Sequence, residues 1–202
     1  MPYRKTPKMI ARRDARRQSF LDAATRLFGR FGYHDTTVPM IVGETESSTG
    51  SFYSFFRNKE EVFAAALEAL GSRATAVIDR ARESTDDPVE QIRAAIEALF
   101  TFLAANPREA RILIVESSGL GKELEQVRRK VLNHHADRVR TTIEGNPGRF
   151  ASMDSGIAAR CMVGATFESL YHWLELPVKK RPEAKAVARA VADYNVRALT
   201  AR

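Results

Sequence analysis

A single cysteine, Cys161, in a chain of 202 residues excludes an intramolecular disulfide. That usage fits a reducing compartment, and we expect the cytoplasm. No stretch is long and apolar enough to span a bilayer, so no membrane partner is expected. The basic N-terminus, MPYRKTPKMIARRDARR, is not followed by the apolar segment of a secretory signal. Catalytic signatures are missing too. GLGKE at 119–123 lacks the spaced first glycine and the Lys-Ser/Thr pair of a phosphate loop, and neither GxSxG nor HExxH occurs. His134 and His135 are neighbours on a predicted helix, so they point about 100° apart and do not form the i, i+4 pair that a metal needs. We expect no enzymatic activity, no metal and no cofactor. Cys161 lies in an apolar helical run and reads as a small buried thiol.

What is present begins with charge. The net charge is +7. Residues 1–30 hold nine Lys or Arg against Asp14 and Asp22, and the remaining 23 bases and 23 acids cancel. All the excess therefore sits at one end. A solvated tail would have this pattern, and so would an electrostatic footprint for a polyanion, with Arg12 and Arg13 in its middle.

Hydrophobic residues make up 44% of the chain, enough for a packed core, and their spacing is helical throughout. Phe20, Leu21, Ala24, Leu27, Phe28 and Phe31 form a first stripe, which Gly32 stops. Thr36-Thr37 and Pro39 open a short helix reaching Gly43. Ser48 caps another, to about Phe56, and Asn58 with Glu61 opens a longer one by a capping box. Asp87-Pro88-Val89-Glu90 and Asn106-Pro107-Arg108-Glu109 repeat one N-terminal device, with the stripe Ile92, Ile96, Leu99, Phe100 and Leu103 between them. Later helices are expected over about 122–144, 152–176 and 182–201. No period-2 strand is visible. The fold class is all-α, divided into residues 1–57 and 58–202.

The stretch 48–63, STGSFYSFFRNKEEVF, is aromatic yet carries small polar residues. On a helix, Phe52 and Phe56 share a face that suits a core. Thr49, Gly50, Tyr53 and Ser54 form a separate polar face whose hydroxyls suit phosphate oxygens. Lys59, in the first turn of the next helix, adds an ammonium near backbone N–H groups. Two short helices joined by about four residues have helix-turn-helix spacing, with the second helix placed to enter a major groove and the basic arm beside it.

FLDAATRLFGRFGYHDTTVPMIV, followed by STGSFYSFFRNKEEVFAAALEA, resembles the DNA-binding domain of the TetR family of bacterial repressors. The matched points are Ala-Ala-x-x-Leu-Phe, Phe-Gly-Tyr before Thr-Thr-Val, and Gly-Ser-Phe-Tyr-x-x-Phe-x-Asn-Lys-Glu, within about residues 16–70. The resemblance implies a nine-helix, two-domain protein whose C-terminal helices bind a ligand and dimerise. It places Thr37, Tyr53 and Lys59 at phosphate-holding positions and Thr49, Gly50 and Ser54 on the DNA-facing side of the reading helix; Ser48, the cap of that helix, is a further DNA-binding candidate. The turn departs from the family's usual Ala-Gly-Val-Ser, because Thr45-Glu46-Ser47-Ser48 stands there. Glu44 and Glu46 are expected to point away from DNA. The reading helix has no Asn, Gln or Arg before Arg57, so the basic arm and DNA shape are expected to carry much of the specificity.

In the C-terminal part, Phe100, Leu103, Met162, Thr166, Phe167, Leu170 and Trp173 are candidates to line a cavity for a small, mostly apolar effector, or they are simply core. Glu116, after Ile112-Leu113-Ile114-Val115, is a candidate carboxylate at the edge of that site, or a salt-bridged surface group. Ile157, Ala158, Cys161, Met162 and Ala165, with Val187, Ala190, Val191, Tyr194, Ala198 and Leu199, are expected to build a homodimer interface. The expected function is a ligand-responsive repressor that binds a near-palindromic double-stranded DNA operator as a homodimer. Two alternatives stay open: a regulator of the same fold without a small-molecule effector, and a helical protein-interaction module with a solvated basic tail.

Overall fold

The computed structural model describes residues 6–117 and 119–200, which hold nine α-helices and no strand. They are α1 (Pro7–Asp35), α2 (Val38–Gly43), α3 (Thr49–Tyr53), α4 (Lys59–Arg82), α5 (Pro88–Ala105), α6 (Pro107–Arg111), α7 (Lys122–Glu144), α8 (Ser155–Glu175) and α9 (Ala184–Thr200). A π-helical turn, Ile112–Glu116, continues α6. No helix of the described residues is long and apolar enough to cross a membrane.

Local chemistry sets most boundaries. Thr37, Ser48, Asn58 and Asp87 each cap the helix they precede by accepting backbone N–H bonds. Each such cap is worth about 1 kcal/mol. Asn106 differs from expectation: its amide donates to the Phe102 carbonyl (2.8 Å), so it closes α5 and leaves α6 without a side-chain cap. At Gly32 the backbone takes φ 82°, a left-handed value that only glycine adopts readily, and α1 kinks there. The α3 helix ends at Tyr53, short of Phe56, and tight turns from Ser51 and Phe52 carry the chain on.

The helices α1, α2 and α3 close around Phe20, Leu27, Phe28, Ile41, Phe52 and Phe56, all buried. Phe20 meets Phe52 edge-on at 5.5 Å, and Phe28 meets Phe63 of α4 at 4.9 Å. Thus α4 belongs to both halves, packing on α1 at one end and on α5 and α7 along its length. In the larger half, α5 lies between α4 and α9, and α7 pairs with α8. Phe31 departs from the first stripe: it is 41% exposed under the Arg30 guanidinium, because the face packed on α6 runs through Gly29 instead.

On α8 and α9 the residues expected at the interface divide between an outward and an inward face. Ala158, Met162, Val191 and Leu199 are buried within the chain, against α5, α7 and each other's helix. Ile157 and Tyr194 are 62% and 66% exposed, and Cys161, expected to be buried, is exposed beside them in register.

At Gly29 α1 comes close against α6, and an added Cβ would lie 2.5 Å from the Arg108 carbonyl oxygen. Backbone cannot swing aside there as a side chain would. Gly29→Ala should lower unfolding stability by about 1–3 kcal/mol, measured by urea denaturation. Gly50→Ala, with nothing within 4 Å of the new methyl, should be neutral or stabilising by up to about 1 kcal/mol.

Candidate functional site

The outward face of α3 is built as its sequence pattern suggests. Phe52 and Phe56 anchor it from below, and Thr49, Gly50, Tyr53 and Ser54 are exposed. Ser48 is exposed as well, but its hydroxyl accepts the Ser51 N–H (3.2 Å). Ser54 donates to the Ser51 carbonyl (2.7 Å), and Thr37 accepts from Met40 N–H at the start of α2 (3.4 Å). Tyr53 carries the largest exposed side chain of α3, at 53%.

The turn between α2 and α3 forms without the usual glycine. No non-glycine residue described has positive φ, so Glu46 occupies its place in ordinary geometry. Thr45 stabilises the turn by donating its hydroxyl to the Val42 carbonyl (2.9 Å). Glu44 turns toward α1, where Arg26 donates to it at 3.0 and 3.2 Å. Glu46 is exposed.

The basic arm is helical from Pro7 onward, so Arg12 and Arg13 stand on α1; Arg4 and Lys5 lie outside the described residues. Arg13 lies over the Phe55 ring and Arg17 over Phe56, which sets the charged end of α1 against the α3 segment. Lys8, Arg12, Arg13, Arg16 and Arg17 are exposed and make no ion pair within 4 Å among the described residues.

Lys59 has a different position from the one its place at a helix start suggests. Its ammonium donates to the carbonyls of Tyr33 (2.8 Å) and His34 (3.3 Å) and lies 4.3 Å from the Tyr33 ring centre. It thereby clasps the last carbonyls of α1. The Tyr33 hydroxyl donates to Glu60 (2.8 Å); burial, then that carboxylate, raise the phenol's pKa well above its usual range.

Glu116 belongs to this same knot and not to a ligand cavity. Its carboxylate accepts the Tyr33 backbone N–H at 3.0 Å, a group that the Gly32 kink leaves without a helical partner. Arg111 lies 3.7 Å away. The π-helical turn carries Glu116 to the end of α1, 83 residues earlier in the chain.

A small, half-open cavity of the C-terminal half lies between α4, α5, α7 and α8 and measures about 40 Å³. Of the expected lining residues it takes Met162, Thr166 and Phe167. Phe100, Leu103, Leu170 and Trp173 are buried elsewhere in the core. Trp173 instead pins the corner between α8 and α9, donating from its indole to the Pro182 carbonyl (3.1 Å) under the Arg181 guanidinium. The pattern missed Arg82, His135 and Arg138, which also line the cavity. For His135 the signal was available, because it joins the buried stripe of Ala136, Val139, Thr142 and Ile143 on α7.

An all-helical chain with an exposed polar reading helix, a neighbouring unpaired basic segment and a separate helical half defines a helix-turn-helix regulator. Residues 20–66 match the family of bacterial regulatory proteins called the tetR family, and residues 85–199 match the tetracyclin repressor-like C-terminal domain. The chain belongs to the TetR family of bacterial regulatory proteins. It is 24% identical over 193 residues to the uncharacterized HTH-type transcriptional regulator YhgD of Bacillus subtilis, covering 92% of this chain and 97% of that one. It is 30% identical over 138 residues to the HTH-type transcriptional regulator HbdR of an Aromatoleum species, covering 68% of this chain but only 57% of that one. The fold matches the regulator FadR of Bacillus subtilis, solved in complex with stearoyl-CoA, with a TM-score of 0.79 at 19% identity over 90% of this chain and 98% of that one.

Burial pushes the His135 imidazole down to about 4, aided by His134 and Arg138 and opposed by Asp79. Its folded-state pKa lies below the ordinary 6.5, so the unfolded chain binds the extra proton first. The contribution of neutral His135 is complete above pH 6.5 and fades as pH falls toward 4. Between pH 7 and 4.5 the wild type should lose roughly 2–3 kcal/mol from this group. His135→Leu should lose that much less over the same interval, measured by urea denaturation at each pH.

Proposed function

We propose that this protein is a homodimeric transcriptional repressor that binds a near-palindromic operator and is released by a small, mostly apolar effector. The observation that carries the DNA part is the unpaired basic end of α1 seated beside the exposed face of α3. Thr49, Gly50, Tyr53 and Ser54 face the groove, and Thr37 with the remaining donor of Lys59 holds phosphate. Arg12 and Arg13 contribute long-range attraction and phosphate contacts. The DNA-reading part ends at Arg57, where the Asn58 cap opens α4.

Dimerisation uses the outward faces of α8 and α9, with Ile157, Cys161, Ala190 and Tyr194 at the centre. Apolar groups this exposed on adjacent helices are the mark of a covered surface. Two-fold pairing then sets the reading helices about one DNA turn apart, roughly 34–36 Å. The effector reading is supported by the chemistry of the cavity and by the fold neighbour solved with stearoyl-CoA. The second reading, a regulator with no small-molecule effector, draws on the cavity's size, since about 40 Å³ holds little more than water unless the walls move.

Fluorescence anisotropy on DNA from upstream of the protein's own gene, against random DNA of equal length, tests the operator reading. At near-physiological salt the upstream DNA should bind about a thousandfold tighter. Equal, salt-sensitive binding to both would contradict it. Removing residues 1–13 should lower both the affinity and this ratio, and an unchanged ratio would show that the arm adds charge alone.

A further inference from the structure

The cavity between α4, α5, α7 and α8 is apolar along most of its wall, through Ile78, Ile96, Leu99, Val139, Met162 and Phe167. Against that wall stand groups whose polar needs are unequally met. Arg138 is ion-paired with Asp79. Arg82, at the C-terminal end of α4, is half-buried and reaches only neutral acceptors, Thr142 Oγ1 at 2.7 Å and Gln91 Oε1 at 3.4 Å. No carboxylate lies within 4 Å of it among the described residues. Burial and the nearby Arg138 work against its charge, and Asp79 partly offsets them. His135 is 7% exposed, and its Nε2 is buried with no hydrogen-bond partner.

Counting charges around the cavity gives Arg82 and Arg138 against Asp79, an excess of one positive charge in a mostly apolar setting. A guanidinium so placed favours an anion, and its fork matches a carboxylate. A wider groove of about 640 Å³ runs between α7 and α8, where Arg160 shares the lining with Glu168 and Arg128 shares Glu125 (3.6 Å) with Arg129 (3.2 Å). The Arg128 Nε is buried without a hydrogen-bond partner, but Arg128 has a carboxylate within 4 Å, which Arg82 lacks. Val163 and Phe167 border both spaces, so they form the partition between them. Turning the Phe167 ring aside would join the small cavity to the groove and make room for a chain of carbons.

Resting on the effector reading above, we propose that the effector is a hydrophobic monocarboxylic acid, its carboxylate held by Arg82 with His135 Nε2 and its apolar body lying past Phe167 into the α7–α8 groove. Arg82 terminates α4, whose other end clasps α1 through Lys59 and Glu60. The anion therefore acts on the helix shared by both halves of the molecule. A neutral alcohol of equal length would find the same apolar wall but leave the charge of Arg82 unanswered.

The test is calorimetric titration of the full-length protein with decanoate, decanol, decanamide and 4-phenylbutanoate. Decanoate should bind at least tenfold tighter than decanol or decanamide, and 4-phenylbutanoate separates a ring-bearing acid from a chain. Arg82→Gln should cut that preference below about threefold without weakening decanol. Arg82→Lys should keep most of it, which separates loss of charge from loss of fold. His135→Gln should reduce the preference by less than Arg82→Gln does. Equal binding of acid and alcohol by the wild type would overturn the proposal, as would an acid preference that survives both Arg82→Gln and His135→Gln. Absence of binding by either acid, in protein that still discriminates its operator, would overturn it and leave the DNA-binding reading standing.

Discussion

One hydrogen bond sits at the centre of the contacts that join the two halves of this molecule. The Glu116 carboxylate accepts the Tyr33 N–H that the Gly32 kink strips of its helical partner. A bond from a backbone amide to a charged, largely buried acceptor is worth about 1.5–3 kcal/mol. Around it, Lys59 holds the adjacent carbonyls, Glu60 holds the Tyr33 hydroxyl, and the Thr36 hydroxyl returns to the Gly32 carbonyl (2.7 Å). Phe28 and Phe63 wall the Tyr33 ring. The DNA-reading helices hang from this end of α1, so their orientation relative to the larger half is set where these contacts meet.

That arrangement gives a small cavity a long reach. Arg82 and the Lys59–Glu60 clasp occupy opposite ends of α4, separated by about 35 Å at helical rise. A helix is stiff along its axis, and here its two ends contact different functional groups. Under the effector proposal, a ligand at Arg82 shifts the reading heads only as far as it prefers one placement of α4 over another. The filled core fits such a device, because close-packed walls move between discrete arrangements and do not deform continuously.

Features encoded by neighbouring residues were legible in the sequence. Thr37, Ser48, Asn58 and Asp87 announced their helices because a cap acts over three residues. Phe52 and Phe56 announced the core side of α3 because four-residue spacing defines a face. The features that were not legible depend on distance or on symmetry. No local pattern assigns Glu116 to an amide 83 residues away, and a pocket-edge reading was equally consistent with its apolar lead-in. Asn106 followed a capping pattern but had a competing carbonyl one turn back. Along α8, apolar residues occur on several faces, so the outward-facing and core-facing positions could be told apart only after α5 and α7 had claimed Ala158 and Met162.

If Glu116 fixes the reading head to the rest of the chain, its loss must loosen the head. Pulsed electron spin measurements between labels at Glu46→Cys in the two protomers of the proposed dimer, in a Cys161→Ser background, read that looseness. The proposed dimer, otherwise wild type, should give one narrow distance distribution, and a clearly broadened one when Glu116→Ala is added. Equal widths in both would contradict the claim, showing that the head is held by other contacts and that the bond to Tyr33 is incidental.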